Sequence, residues 1–208
     1  LASPYNFHIK SIGRDEDLRA LKNLYQLLLD EKKSRLAFIS ARSGMGKTKI
    51  LTELREMLLL RFEPSYTFQA SEASRSLPFA AFTALLKDKL PRLELSVLKK
   101  QVSVFFQENQ PLLINIFPFL SDFFSFENPK NAPVHNYQRE ELFTQLEAFF
   151  SLIFSDEGKI TLLIDDIQWL DPESFSFILF LMNRSSALPW FFALSENTDK
   201  SERQYLHL

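Results

Sequence analysis

The stretch ARSGMGKTKI at residues 41–50 constrains the fold of this chain more than any other segment. It holds Gly44 and Gly46, two of only four glycines among 208 residues. A strand is predicted at 35–41 and a helix at about 47–61, so the glycines lie in the turn between them. Such a turn lets backbone N–H groups converge on an anion, in conformations that Cβ atoms obstruct.

The end of this stretch matches the phosphate-loop pattern G-x-x-x-x-G-K-[ST], although Ala41 stands at the position of the first glycine. Lys47, a candidate catalytic residue, adds a mobile positive charge for the β and γ phosphates. The Thr48 hydroxyl is a hard oxygen ligand for Mg²⁺, and the helix directs its positive end at the anion. We therefore predict that these residues bind nucleotide: Ser43, Gly44, Met45, Gly46, Lys47, Thr48 and Lys49.

KITLLIDD at residues 159–166 is an apolar run that ends in two acids. Buried parallel strands have this pattern, and open α/β sheets bind ligands at the carboxyl ends of their strands. We predict that Asp165 binds Mg²⁺ and that Asp166 is the catalytic base that polarises an attacking water. Asp171 is expected to cap the next helix, and Trp169 is expected to serve packing rather than chemistry.

Strands and helices alternate along the chain. SYTFQA (65–70) and PWFFALSE (189–196) are further predicted strands, whereas 79–155 is helical and interrupted by prolines. This alternation predicts an α/β fold with a parallel sheet. We expect one domain over 1–208, with its core strands and motifs in 10–70 and 157–196 and a helical insertion at about 79–155 between the second and third strands.

Composition argues against several classes of protein. The net charge of −2 gives no electrostatic support for direct nucleic-acid binding, and the absence of cysteine excludes disulfides and thiolate metal sites. The most apolar run, 111–126, is shorter than the about 20 residues that a membrane helix needs. The beginning, LASPYNFHIK, does not have the pattern of a signal peptide. We expect a cytoplasmic protein of which this chain is a part.

Three segments together resemble one family. IGRDEDLRALKNLYQLLL (12–29) is similar to the GRExEL motif of AAA-type ATPases, ARSGMGKTKILTEL (41–54) to their Walker A region, and TLLIDDIQWLDPESFSFILFLM (161–182) to their Walker B region DDxxWxDxxS. The combination is typical of signal-transduction ATPases with numerous domains (STAND), which include LuxR-type bacterial regulators. Archaeal origin-recognition ATPases are more distant relatives. The resemblance covers most of 12–195.

The resemblance implies a P-loop NTPase three-layer sandwich with an AAA-like core that binds ATP or ADP and Mg²⁺. It also implies that the family's fifth strand and helical lid follow beyond this chain. Three further nucleotide-binding residues are implied, namely Ile12, Gly13 and Arg14, the first two near the adenine.

The end of the last predicted strand departs from the family pattern. The family often has a polar sensor residue there, followed by arginine. In FFALSENTD, Ser195 or Asn197 is the candidate sensor, and Glu196 occupies the usual place of the arginine. The departure bears on how the site senses the γ-phosphate and how fast it hydrolyses ATP.

The main functional prediction is a Mg²⁺-dependent ATPase that turns over slowly and acts as a nucleotide switch in a larger signalling or transcription-regulatory protein. Its partners would be ATP, the lid and the sensor or effector domains of the same protein, and other copies in a homo-oligomer, with no membrane. One alternative is a small-molecule kinase, which would need arginines near the phosphates; Arg184 is the nearest candidate after Asp166. Another is a non-catalytic nucleotide-binding scaffold.

Phenylalanines crowd the segment 105–126. We interpret it as a helical subdomain that packs its own core; the alternative is an exposed apolar surface for other domains or protomers. Arg139 is expected to be a solvated surface residue rather than a finger for a neighbouring subunit. One helical face is predicted to lie in the core, namely Phe143, Leu146, Phe150 and Ile153.

Overall fold

The computed structural model describes residues 15–93, 105, 111–124, 138–184 and 188–199. Within them, parallel strands form one sheet from β1 (Arg35–Ala41), β2 (Tyr66–Gln69), β3 (Ile160–Asp165) and β4 (Trp190–Asn197). Their spatial order is β1-β4-β3-β2, and all three pairings are parallel. The predicted α/β fold with a parallel sheet is therefore confirmed, and the carboxyl ends of all four strands lie at one edge.

Helices cover both faces of this sheet, namely α1 (Asp15–Glu31), α2 (Lys47–Leu60), α3 (Ala80–Lys89), α4 (Arg139–Ile153) and α5 (Pro172–Met182). The first two pack with Leu163 and Phe191, and the other three pack with Ile164 and Phe192. Neighbouring residues of a strand point to opposite faces, so each strand contributes to both cores. This gives the three layers of the predicted fold, with α3 and α4 between β2 and β3 in the chain.

The central strands are buried along their whole length. Every residue of β3 and of β4 is buried, and for β3 this confirms the buried strand that the apolar run at 159–166 predicts. Strands that helices cover on both faces are buried throughout and mostly apolar, because neither face meets water. Among the described residues, no helix is both long enough and apolar enough to span a bilayer.

The core on the α3–α5 side is rich in aromatic rings. Phe82 makes edge contacts with Phe150, Phe177 and Trp190, at centroid distances of 5.4, 4.8 and 5.9 Å. Of the crowded phenylalanines, Phe117 is fully buried in this core, whereas Phe106 and Phe126 lie outside the described residues. The predicted core face of α4 is confirmed, since these residues are all buried: Phe143, Leu146, Phe150 and Ile153.

Asp171 holds two helix starts together. Its Oδ1 accepts hydrogen bonds from the backbone N–H of Ser174 (2.8 Å) and of Phe79 (2.9 Å), and its Oδ2 accepts one from the N–H of Ala80 (3.1 Å). The predicted cap of α5 is confirmed. The same carboxylate also satisfies N–H groups at the start of α3, which ties α3 to the segment that follows β3.

Candidate nucleotide-binding site

The glycine loop joins β1 to α2 and has the backbone conformation that its sequence predicts. Gly44 and Gly46 have φ of 75° and 77°, in the left-handed region that favours glycine. A Cβ atom built on either glycine would meet no atom within 4 Å. The need for glycine here is therefore one of backbone conformation, and the space in front of the loop is open to a ligand.

Lys47 lies inside this loop and is only 7% exposed. Its Nζ donates to the backbone carbonyls of Ala41 at 2.9 Å and Arg42 at 2.8 Å. Within the described part of the chain, no ion pair involves Lys47. A buried ammonium met only by carbonyl dipoles is incompletely compensated, so this position favours an anionic ligand.

The carboxylate of Asp165 connects the loop to the sheet. Its Oδ2 accepts a hydrogen bond from Thr48 Oγ1 at 2.6 Å, between residues 117 positions apart in the sequence. Its Oδ1 accepts from the hydroxyl of Ser195 and from the backbone N–H of Asp166 at 3.1 Å. A hydroxyl and a carboxylate are hard oxygen donors, and two such protein ligands completed by phosphates and water fit Mg²⁺.

Asp166 directly follows β3 and has φ of 58°, a left-handed conformation that aspartate tolerates better than most residues. Its two carboxylate oxygens accept hydrogen bonds from the side-chain amides of Gln69 (2.8 Å) and Gln168 (2.9 Å). Gln168 Oε1 in turn accepts from the backbone N–H of Asn197 at 3.0 Å. Because that N–H can only donate, it determines which end of the Gln168 amide faces Asp166.

These elements surround a cavity of about 640 Å³. Most of the predicted loop residues line it, together with Asp166 and Trp169, which was expected only to pack. Met45 instead borders a second cavity of about 710 Å³ between α1 and β1. Asp165 lies behind Thr48, and Ile12, Gly13 and Arg14 lie outside the described residues. The lining consists of Ser43, Gly44, Gly46, Lys47, Thr48, Lys49, Thr52, Asp166, Gln168, Trp169 and Asn197.

The sequence profile of the AAA ATPase domain matches residues 10–192, which include the loop, both acids and the start of β4. The chain belongs to the AAA ATPase domain family. No curated protein sequence matches the chain significantly.

Two solved archaeal structures resemble this AAA domain. Cdc6p from Pyrobaculum aerophilum has 17% sequence identity and a TM-score of 0.50, and the match covers 95% of this chain and 42% of that one. The ORC2 protein of Aeropyrum pernix, solved as ADPNP–ADP complexes, has 12% identity and a TM-score of 0.43, with 92% and 43% covered. The likeness to Cdc6p supports the P-loop fold. The AAA domain spans less than half the length of either protein.

The end of β4 in this AAA domain separates the two sensor candidates. Ser195 is buried and bonded to Asp165, whereas Asn197 lines the cavity. Glu196 points to the other face of the sheet, where its Oε2 accepts a hydrogen bond from Ser40 Oγ at 3.3 Å. Asn197 is thus the candidate that a bound phosphate or water would meet.

Of the two arginines considered in the sequence, Arg139 begins α4 and Arg184 follows the end of α5, and both are exposed. Arg139 donates to Glu173 Oε2 at 3.1 Å and to Ser176 Oγ at 2.8 Å. Arg184 donates to Thr144 Oγ1 at 2.8 Å. Neither lines the cavity, and Arg139 is the exposed side chain that the sequence predicts.

Sequence reasoning missed Thr52 of the cavity lining and the two residues that bond to Asp166, namely Gln69 and Gln168. Gln69 ends β2 beside Asp165 in the sheet, so its place at a strand end was a usable signal. Gln168 lies within the Walker B-like segment, two positions after Asp166. Their amides hold the carboxylate of Asp166 from two sides, and only the folded chain brings them together.

Proposed function

We propose that this AAA domain binds ATP with Mg²⁺ and hydrolyses it slowly, as a nucleotide switch in a larger signalling or transcription-regulatory protein. The observation that carries the proposal is the convergence of Lys47, the Thr48–Asp165 pair and Asp166 on one open cavity. A phosphate cradle, a place for a divalent cation and an acid able to hold a water are the parts that such hydrolysis requires.

Phosphate binding follows from the loop. The backbone N–H groups around Gly44 and Gly46 donate to phosphate oxygens, and Lys47 turns its ammonium from the loop carbonyls to the β and γ phosphates. Thr48 and Asp165 would hold Mg²⁺, which would neutralise charge on the phosphates. The buried position of Asp165, with Ser195 bonded behind it, keeps that carboxylate oriented.

Hydrolysis takes place at the end of the cavity that Asp166 and Asn197 line. Asp166 orients a water and takes a proton from it as the water oxygen bonds to the terminal phosphorus, the bond from that phosphorus to the bridging oxygen breaks, and ADP and inorganic phosphate leave. Gln69 and Gln168 direct the carboxylate of Asp166, while Asn197 faces the terminal phosphate or the water. Catalysis is mostly positioning and charge neutralisation, because phosphoryl transfer leaves little covalent work for the protein.

Slow turnover is supported by the charges around the cavity. Among the lining residues that the structure describes, the cations are Lys47 and Lys49, and none is an arginine. An arginine at the terminal phosphate accelerates such reactions by about 10³- to 10⁵-fold. The lack of an arginine in this described part of the lining also argues against a small-molecule kinase.

The place in a larger protein rests on resemblance to STAND and LuxR-type regulators. We propose that residues 1–208 form one AAA-type domain, with its core in 10–70 and 157–196 and the helical insertion at about 79–155. The parent protein would be cytoplasmic, would add a lid and sensor or effector domains, and would be able to assemble into a homo-oligomer.

The test is to measure nucleotide binding and phosphate release by the wild type and Asp166→Asn. Asparagine keeps the shape of the side chain but cannot take up a proton, so turnover falls by about 100-fold or more while ATP affinity stays. The matched control is Asp88→Asn, an exposed acid of α3 paired with Arg92. Full turnover in Asp166→Asn would remove Asp166 as the base, and binding without any wild-type turnover would favour the non-catalytic scaffold.

A further inference from the structure

A side-chain carboxylate already accepts a hydrogen bond from one of the backbone N–H groups of the glycine loop. Asp199 Oδ2 accepts a hydrogen bond from the backbone N–H of Ser43 at 2.9 Å. Ser43 is a lining residue of the nucleotide cavity. A carboxylate therefore bonds to the loop from the side of β4, with the same acceptor chemistry as a phosphate oxygen.

The backbone after β4 keeps this carboxylate in place. The N–H of Thr198 donates to the carbonyl of Ala41 at 3.2 Å, and the N–H of Asp199 donates to Asn197 Oδ1 at 3.1 Å. The segment thus continues across the start of the loop and is tied to Asn197, which lines the cavity. Three hydrogen bonds set where the charge of Asp199 lies.

The position of this charge matters most for the last phosphate of a nucleotide. Lys47 and Lys49 give the cavity lining its positive charge, and Asp166 gives it negative charge. A terminal phosphate that reacts with a water on Asp166 must lie near Asp166 and Asn197. Asp199 is tied to that region by the hydrogen bond from its backbone N–H to Asn197, so the third phosphate of a triphosphate brings its charge toward this carboxylate.

We propose that Asp199 is a specificity-determining residue that disfavours nucleoside triphosphate relative to diphosphate at this site. The inference rests on the proposed nucleotide-binding function. When a diphosphate binds, the hydrogen bond from the Ser43 N–H to Asp199 is kept. A triphosphate either bears the repulsion of the carboxylate or displaces it from that N–H. The resting domain therefore favours ADP, and releasing Asp199 is part of loading ATP.

The experiment compares Asp199→Asn with the wild type by calorimetric titration of ADP and of a non-hydrolysable ATP analogue. Asparagine retains an oxygen acceptor for the Ser43 N–H but removes the charge. A neighbouring like charge at a partly solvated site changes affinity by about three- to tenfold, so we expect a gain of about fivefold for the ATP analogue and less than about twofold for ADP. This gain in affinity for the ATP analogue should be smaller at about 1 M salt, because the Debye screening length is then only about 3 Å.

The matched control is Asp30→Asn. Asp30 is also exposed and accepts one hydrogen bond, from Gln26 Nε2 at 2.9 Å on α1, and it does not line the cavity. It should leave both affinities unchanged. Asp199→Ser is a second neutral variant, which should shift the ratio of ATP to ADP affinity in the same direction.

Equal gains for both nucleotides, or no gain in either neutral variant, would overturn the role of Asp199. Failure of the proposed function has a different signature, since then neither nucleotide binds to the wild type or to any of these variants. Nucleotide binding that Lys47→Ala abolishes, with an unchanged ratio in Asp199→Asn, would overturn the specificity role alone.

Discussion

Two buried lysines lie at opposite ends of the sheet and differ in what compensates their charge. Lys47, at the carboxyl ends of the strands, is 7% exposed and donates to two backbone carbonyls. Lys89, near the amino ends of β2 and β3, is 4% exposed and donates to Glu157 Oε1 at 2.6 Å and Asp156 Oδ1 at 2.8 Å. The ammonium of Lys89 is neutralised by its own chain, whereas that of Lys47 is left for a ligand.

The surroundings of the two lysines reinforce this difference. Lys89 lies 5.3 Å from the centre of the Phe154 ring, and the hydroxyl of Tyr66 donates to Glu157 Oε1 at 2.5 Å. Lys47 instead borders an open cavity. A buried lysine by itself therefore says little about function; one without a carboxylate partner beside open space indicates an anion site.

The largest expected effect comes from removing the ligand-facing lysine. Lys47→Ala should weaken ATP affinity by about 1,000-fold, because several charge-assisted hydrogen bonds to phosphate are lost together. Stability should change little, since the lysine makes no internal ion pair in the described residues. Calorimetric titration measures the first and urea unfolding the second. Unchanged ATP affinity would contradict the loop assignment.

The converse variant tests the structural lysine. Lys89→Met should lower the free energy of unfolding by about 3 kcal/mol, because Glu157 is left buried without its cation. Nucleotide affinity should stay at the wild-type value. The double variant Lys89→Met/Glu157→Gln should recover part of the loss, since no uncompensated charge remains. A stability loss identical in the single and double variants would contradict this account.

The smallest effect concerns Tyr66 at the same end of the sheet. Burial raises the pKa of Tyr66 above its usual value, and the hydrogen bond to Glu157 and the charge of that carboxylate raise it further. The folded chain therefore keeps a proton that the unfolded chain releases above about pH 10. The stabilising contribution of Tyr66 is complete below that pH and declines as pH rises, by at most about 1.4 kcal/mol per pH unit.

Tyr66→Phe measures this contribution. Urea unfolding should show the variant to be about 1 kcal/mol less stable at about pH 8, because one hydrogen bond to a buried carboxylate is lost. The difference should narrow above about pH 10. A difference that does not depend on pH would show that Tyr66 does not titrate differently in the two states.

Local patterns predicted most of the secondary structure. The strand at 35–41, the start of α2 at Lys47 and the cap at Asp171 are as expected, because glycine conformation, capping and apolar runs act over a few residues. The strand order was not predicted. Placing β4 between β1 and β3 depends on pairing between distant segments, on which local patterns have no bearing.

The sequence by itself determined the phosphate loop, the acidic strand end and the family. Tertiary structure alone decided which polar side chains meet there. In the sequence, three of these residues look like ordinary surface residues, namely Gln69, Gln168 and Asp199. Each acquires its role from a hydrogen-bond partner that lies far away in the chain or across a tight turn. Parallel strands bring their carboxyl ends to one edge of the sheet, so the polar residues that follow different strands come together in one site.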